Sequence, residues 1–401
     1  MTPGRPGHHG AVTTPPVDDA LARRALAAGR AAGLDAAGLA TVAPFTAARE
    51  ALEQRREAGL HGGMAFTYRN PARSTDPRAL LPSARALLAG ALLHGGEPAA
   101  PAGPGPHGRV ARYARQDHYD RLRHALDVAG AVLRAEGWRA LVVVDQNHLV
   151  DRAVAHRAGL GWYGRNSLLL MPGVGSWSVL GAVVTDAPLV AEDPEPVADG
   201  CGPCTRCVTG CPTGAIVAAG VVDARRCLAW LVQAPGPLRR DLREAMGDRI
   251  YGCDDCQEVC PPNRVRLHRR ERAVGDTPLV DDDPAAWVDL LELLAADDAT
   301  LLDRHGRWYV ADRDPRHLRR NALVALGNVA DPGDPAVVAA LVRVLAGGDD
   351  LLVAHAAWAA RRLGREDLLA HVVDPGPEAR AELAAAAPTP RAPAAKEHPA
   401  R

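Results

Sequence analysis

Cys201-Gly-Pro-Cys204-Thr-Arg-Cys207-Val-Thr-Gly-Cys211-Pro212 and Cys253-Asp-Asp-Cys256-Gln-Glu-Val-Cys260-Pro261, with a lone Cys227 between them, hold every cysteine of the 401-residue chain. The first run is C-x2-C-x2-C-x3-C-P, the thiolate spacing that holds a cubane iron–sulfur cluster in bacterial two-cluster ferredoxins. Three closely spaced thiolates cap one face of a cluster, and the fourth, ahead of proline, turns away to ligate the other. Eight thiolates at four per cluster make two 4Fe–4S clusters with none left over. The expected sets are Cys201, Cys204, Cys207 and Cys260 for the first cluster, and Cys211, Cys227, Cys253 and Cys256 for the second.

Two other uses of these thiols were weighed. A disulfide framework suits small scaffolds in oxidising compartments, not a long chain whose cysteines crowd one window. Zinc takes two C-x2-C pairs but leaves the third C-x2 step and the prolines after Cys211 and Cys260 without a purpose.

Outward from this window the composition is that of an ordinary globular protein, with 47% hydrophobic residues and a formal net charge of −1. No global basicity points to nucleic acid, so such contacts must rest on local patches. Two are available: Arg264-Val-Arg266-Leu-His268-Arg269-Arg270-Glu-Arg272, and Arg313, Arg316, Arg319 and Arg320. Their alternative is a solvated helix face. The polar N-terminus lacks the apolar core of an export signal, and no apolar run is long enough to span a membrane. Together with unpaired thiols this predicts a cytoplasmic protein.

Before the cysteines, helix is expected over Asp18–Gly33, a proline/glycine loop over Gly95–Gly108, and helix over Val110–Glu136. Ala140–Asp145 (ALVVVD) reads as a buried strand ending on a carboxylate, Val150–Ala158 as helix, Gly159–Gly164 as a tight glycine loop, and Trp177–Thr185 as a strand. This alternation predicts an α/β domain to about residue 195. From Trp287 onward everything reads as helix, and the stretch from Asn321 is echoed by the one from His355, as in stacked helical hairpins.

Several motifs carry a family resemblance: His61-Gly-Gly-Met64 to Arg69, Leu80-Leu-Pro82, Arg112-Tyr113-Ala114, Val144-Asp145, Ala158-Gly-Leu-Gly-Trp-Tyr-Gly164, Pro212-Thr-Gly-Ala-Ile216, Asp223-Ala-Arg-Arg-Cys227, Arg249 to Gln257, and Arg320-Asn321-Ala322. In these the chain resembles the epoxyqueuosine reductases, cobalamin-dependent iron–sulfur enzymes of queuosine-tRNA maturation. It departs from that pattern at Gln146-Asn147-His148, Arg165, Leu228 to Ala234 and Pro262.

The resemblance implies an α/β N-terminal cobalamin-binding reductase domain (19–195), a ferredoxin-like domain with two 4Fe–4S clusters (196–265) and C-terminal α-helical HEAT-like repeats (266–387), between disordered tails at 1–18 and 388–401. It implies an oxidoreductase that reduces epoxyqueuosine to queuosine in the tRNA wobble position. Asp145 would be the catalytic acid, with cobalamin contacts at Arg69, Arg112 and Leu169. No Asp-x-His-x-x-Gly motif offers a histidine to cobalt. Gly159, Gly161 and Gly164 would let backbone approach a flat ligand, or simply turn the chain. The implied partners are a tRNA anticodon stem-loop and a flavodoxin or ferredoxin as electron donor, with no membrane and a monomeric state. For Asp145 the alternative is a cap on the following helix. For the whole chain the alternatives are a dehalogenase-like cobalamin/iron–sulfur reductase of a small molecule, and a ferredoxin-like electron-transfer protein.

Overall fold

The computed structural model describes residues 18–390 apart from 96, 99, 102, 191, 266–279 and 282–283. Most of the first basic patch and the 196–265/266–387 boundary therefore lie outside the described residues, as do nearly all of both tails.

The N-terminal half is built on a four-stranded sheet of β1 (Ala36–Thr41), β2 (Ala86–Leu93), β3 (Ala140–Val144) and β4 (Ser178–Thr185), in the order β1-β2-β4-β3. Every pairing is antiparallel. The expected helix–strand alternation is present, but it does not wind a parallel sheet: β2 and β4 lie side by side although β3 falls between them in sequence.

Both faces are covered, which explains the unbroken apolar run Ala86-Leu-Leu-Ala-Gly-Ala-Leu-Leu93. Leu88, Leu92, Val179 and Val183 pack under α1 (Asp19–Ala31) and α2 (His118–Ala135). Leu87, Ala89, Val143, Ala182 and Val184 face α3 (Asp151–Arg157). Gly90 and Gly181 pair across β2 and β4, and a Cβ on either would come within 2.9 Å of Leu126 of α2, so the glycine pair is the notch that seats that leucine. α1 starts where expected, with the Asp18 carboxylate accepting from the Leu21 N–H at 2.9 Å.

Three expectations change at the next layer. The helix over Val110–Glu136 is broken: a single turn, Arg112–Arg115, precedes α2, whose N-cap is Asp117. The end of the glycine-rich loop, His107–Val110, is a strand. It pairs in parallel with Arg249–Tyr251 and antiparallel with Trp287–Asp289, so the region after Trp287 opens on a strand and not on a helix. This small sheet draws one strand each from the N-terminal half, the cysteine segment and the C-terminal part. One apolar core accordingly runs from Val110 through Leu228–Tyr251 to Leu290–Leu368.

From Leu290 onward the regular elements are helical, with α4 (Arg316–Val329) packed on α5 (Asp350–Arg362) so closely that a Cβ on Gly327 would reach Trp358 and Ala359 at 2.9 Å. Among the described residues no helix is long and apolar enough to cross a membrane.

Candidate redox centre and active site

All eight thiols are free. Two short helices, Arg206–Thr209 and Asp255–Glu258, each carry one cysteine, Cys207 and Cys256, and are followed at once by Cys211-Pro212 and Cys260-Pro261. Gly210 lets the two segments close up, since a Cβ there would lie 3.0 Å from Val259.

Cys201, Cys204, Cys207 and Cys260 line one cavity of about 70 Å³, together with Trp162, Arg165, Asn166, Leu170, Gly200, Pro261 and Pro262. Burial raises the Cys260 thiol to about 11, with Cys201 and Cys207 adding to it. Burial, then Cys201, raises Cys207 as well.

The other four thiols feel one another in the same way. Burial and then Asp255, with Cys227 contributing, raise Cys253; burial and then Cys227, Asp254 and Cys211 raise Cys256. Cys211 runs the other way: burial raises it, but the Thr213 hydroxyl and the backbone N–H groups of Thr213, Ala215 and Ile216 outweigh burial and hold it below the usual thiol range. The Ala215 N–H lies 3.2 Å from its sulfur. Cys207 also adds to Cys256, so the two groups of thiols adjoin; the cavity gathers Cys201, Cys204, Cys207 and Cys260, the first expected set. Such donor sets fit clusters: all-thiolate, four to a set, with one set already around a cavity. Among the described residues no three His, Cys, Asp or Glu side chains gather as for a single metal ion.

Two buried residues outside the cysteine runs fix this arrangement, and spacing alone did not reveal either role. Asn263, fully buried, accepts from the Ser176 N–H at 2.7 Å and donates to the Gln257 carbonyl at 2.9 Å, tying the second cysteine helix to the N-terminal half. Arg320, also fully buried, donates to the carbonyls of Ala234 (2.7 Å), Gly236 (2.5 Å) and Leu231 (3.1 Å), the loop that follows Cys227. Its neighbour Asn321 donates to Val232 and Ile250. The second basic patch is therefore not a free positive face. Arg320 is an internal clamp, Arg316 pairs with Asp314 at 2.6 Å, and Arg319 pairs with Asp298 at 2.6 Å.

Asp145 follows β3 with φ +52°, a left-handed conformation uncommon outside glycine. It is not a helix cap: the N-cap of α3 is Val150, without a side-chain bond. By area it is exposed, yet the protein around it desolvates the carboxyl and raises its pKa, with Arg123 opposing. Burial and then Asp145 raise the nearby Asp151 carboxyl as well. Tyr251, two residues before Cys253, lies within electrostatic reach of Asp145. A carboxyl with a raised pKa thus acts on the tyrosine two residues before Cys253.

Of the other expected site residues, Arg69 is exposed. Arg112 is 2% exposed, its guanidinium 4.3 Å over the Trp177 ring and 3.6 Å from Glu258. Leu169 is 2% exposed and paired with Tyr163. Arg69 is thus open to solvent, and the side chains of Arg112 and Leu169 are packed inside the protein. The glycine loop is half of a hairpin, Trp162–Tyr163 against Leu169–Leu170, and the backbone approaching Gly161 is that of Leu170, whose carbonyl oxygen a Cβ would meet at 2.1 Å.

Fold and thiol sets together define an iron–sulfur oxidoreductase with two clusters, and residues 200–263 match the 4Fe-4S double cluster binding domain. The chain is 35% identical to the epoxyqueuosine reductase of Vibrio cholerae over 77% of its own length and 83% of that protein's. It is 32% identical to that of Bacillus cereus over 86% and 89%. It belongs to the epoxyqueuosine reductase family. Its fold matches a crystal structure of epoxyqueuosine reductase with a tRNA-Tyr epoxyqueuosine-modified stem loop, at TM-score 0.77 and 28% identity over 91% of this chain and 97% of that one. It also matches the Bacillus subtilis enzyme with an aspartate catalytic loop swung out of the active site, at TM-score 0.75 and 29% identity over 91% and 97%.

Proposed function

We propose that this chain reduces epoxyqueuosine to queuosine in the wobble position of tRNA. In balance, two electrons and two protons enter, both bonds from carbon to the epoxide oxygen break, a carbon–carbon double bond forms, and the oxygen leaves as water. When bound, two 4Fe–4S clusters and a cobalamin supply the electrons at low potential.

The rest is the work of the chain's own residues. Asp145 protonates the departing oxygen, and desolvation, opposed by Arg123, shifts its carboxyl toward the acid form that this task needs. Its left-handed backbone, in a segment that caps no helix, suits a loop that presents an acid and withdraws it. Cys201, Cys204, Cys207 and Cys260 hold the first cluster; Cys211, Cys227, Cys253 and Cys256 hold the second. Arg69 is the arm toward the corrinoid, while Arg112 and Leu169 stiffen the wall behind it. The tRNA anticodon stem-loop is gripped through its phosphates by the arginines of 264–272 and by the exposed Arg313 and Arg316, while Arg320 is buried and serves the fold.

The same reading keeps the divisions at 19–195, 196–265 and 266–387 and takes the α4–α5 pair as HEAT-like. It makes the protein a cytoplasmic monomer served by a flavodoxin or ferredoxin.

The observation that carries the function is the placement of a desolvated aspartate beside an eight-thiol, two-set redox segment. Mass spectrometry of tRNA nucleosides from a deletion strain tests it: epoxyqueuosine accumulates if the reading holds, and unchanged queuosine refutes it.

A further inference from the structure

Three residues that line the first cysteine cavity each carry a buried nitrogen donor without an acceptor. Trp162 Nε1, Arg165 Nε and Asn166 Nδ2 are buried atoms with no hydrogen-bond partner among the described residues, and all three residues line the cavity. Each is held in place by the fold. The Trp162 ring lies on Gly200, where a Cβ would come within 2.7 Å of it. Arg165 is anchored by a bond from its terminal nitrogen to the Gly202 carbonyl at 2.7 Å. Asn166 accepts from the Leu168 N–H through Oδ1, which leaves Nδ2 as the donor still to be satisfied.

A buried donor without an acceptor is uncommon and costly, and three around one cavity call for an acceptor inside it. Thiolate and sulfide sulfurs are such acceptors. The second thiol set has a different setting. The Cys253 sulfur lies 3.3 Å from the Asp255 carboxylate, itself paired with Arg249 at 2.5 Å, and the Cys211 sulfur accepts from the Ala215 N–H at 3.2 Å. Hydrogen bonds to the sulfurs and nearby charge are among the levers that set a cluster's potential.

We propose that Trp162, Arg165 and Asn166 donate hydrogen bonds to the first cluster and hold its reduction potential above that of the second. The inference rests on the two-cluster reading and on the pairing of the eight cysteines given above. Three donors and a guanidinium charge stabilise the added electron at the first site; at the second, the donors to Cys211 are set against the Asp255 carboxylate beside Cys253. These three are positioning residues: they touch neither substrate nor the reacting atoms.

The test is a potentiometric titration followed by electron paramagnetic resonance on the anaerobically reconstituted full chain, with iron counted in the same samples. Wild type should show two separate midpoints. In the Trp162→Phe, Asn166→Leu double variant the higher midpoint should fall by at least about 59 mV, a tenfold change in the one-electron ratio, while the lower stays. Cys211→Ser, left with the first cluster alone, should show the same fall when combined with the double variant. If the double variant loses iron, Arg165→Gln on the half-buried rim reads the same effect, a fall confined to the higher midpoint. Unmoved midpoints with about eight irons retained overturn the proposal. Wild-type protein holding about four irons overturns instead the two-cluster reading beneath it.

Discussion

The two thiol sets have the same crosswise plan and different surroundings. The first gathers around a cavity whose wall comes from the hairpin at Trp162–Leu170, in the N-terminal half. The second draws on other elements. Its Cys227 precedes a loop whose carbonyls are held by Arg320 of α4, and its Cys253 follows a strand of the three-segment sheet. The helical part braces the second site alone through Arg320, while the N-terminal half supports both, so changes at Arg320 should reach the second cluster first. The difference teaches that this cysteine segment is not a ferredoxin appended to an enzyme: both neighbours complete it.

The largest expected effect breaks the pairing itself. Cys260→Ser should cost the first cluster and Cys211→Ser the second, each lowering bound iron from about eight to about four per chain. The surviving signal should differ between the two variants. If both leave the same signal, the crosswise assignment fails.

Arg320→Met comes next. It strips the donor from several buried carbonyls, an expected loss of about 3 kcal/mol or more, read from chemical denaturation. Iron should be lost from the second site before the first. Even loss from both would show that the helical part does not support one site selectively.

Asp145→Asn should slow single-turnover reduction by at least about a hundredfold with iron content unchanged. Asn and Ala variants should be equally inactive, since what is missing is a proton. An active Asn variant would remove Asp145 from the chemistry.

The smallest effect is one of pH. The folded pKa of Asp145 is raised, so the acid form persists above the ordinary aspartate range, and the rate should fall as pH climbs through that raised value. The limb should vanish in Asp145→Asn. A rate that rises with pH over the same window would point to a base.

The double-cluster segment, the strand that delivers Asp145, and helices α1 and α3 were legible because each has a strong local signature: fixed thiolate spacing, a β-branched run, a cap or apolar periodicity. The sheet's antiparallel order was not, because a strand covered on both faces reads the same in either direction. Trp162 and Asn166 drew no attention as donors, since their roles come from a hairpin that brings them to cysteines distant in sequence. Arg320 was misjudged by counting charge along the chain. Its spacing held a correction: Leu323, Val324 and Gly327 follow at three, four and seven residues, which puts Arg320 on a buried face of α4. The departure at Arg165 was visible in the sequence, but its place at the first cavity was not.

The most direct test is mass spectrometry of the wobble nucleoside after reduced, fully loaded protein has met tRNA bearing epoxyqueuosine. The expected product is queuosine, lighter by one oxygen atom, formed by wild type and not by Asp145→Asn. An intact epoxide after incubation with wild-type protein that carries its full iron and corrinoid would contradict the assigned function.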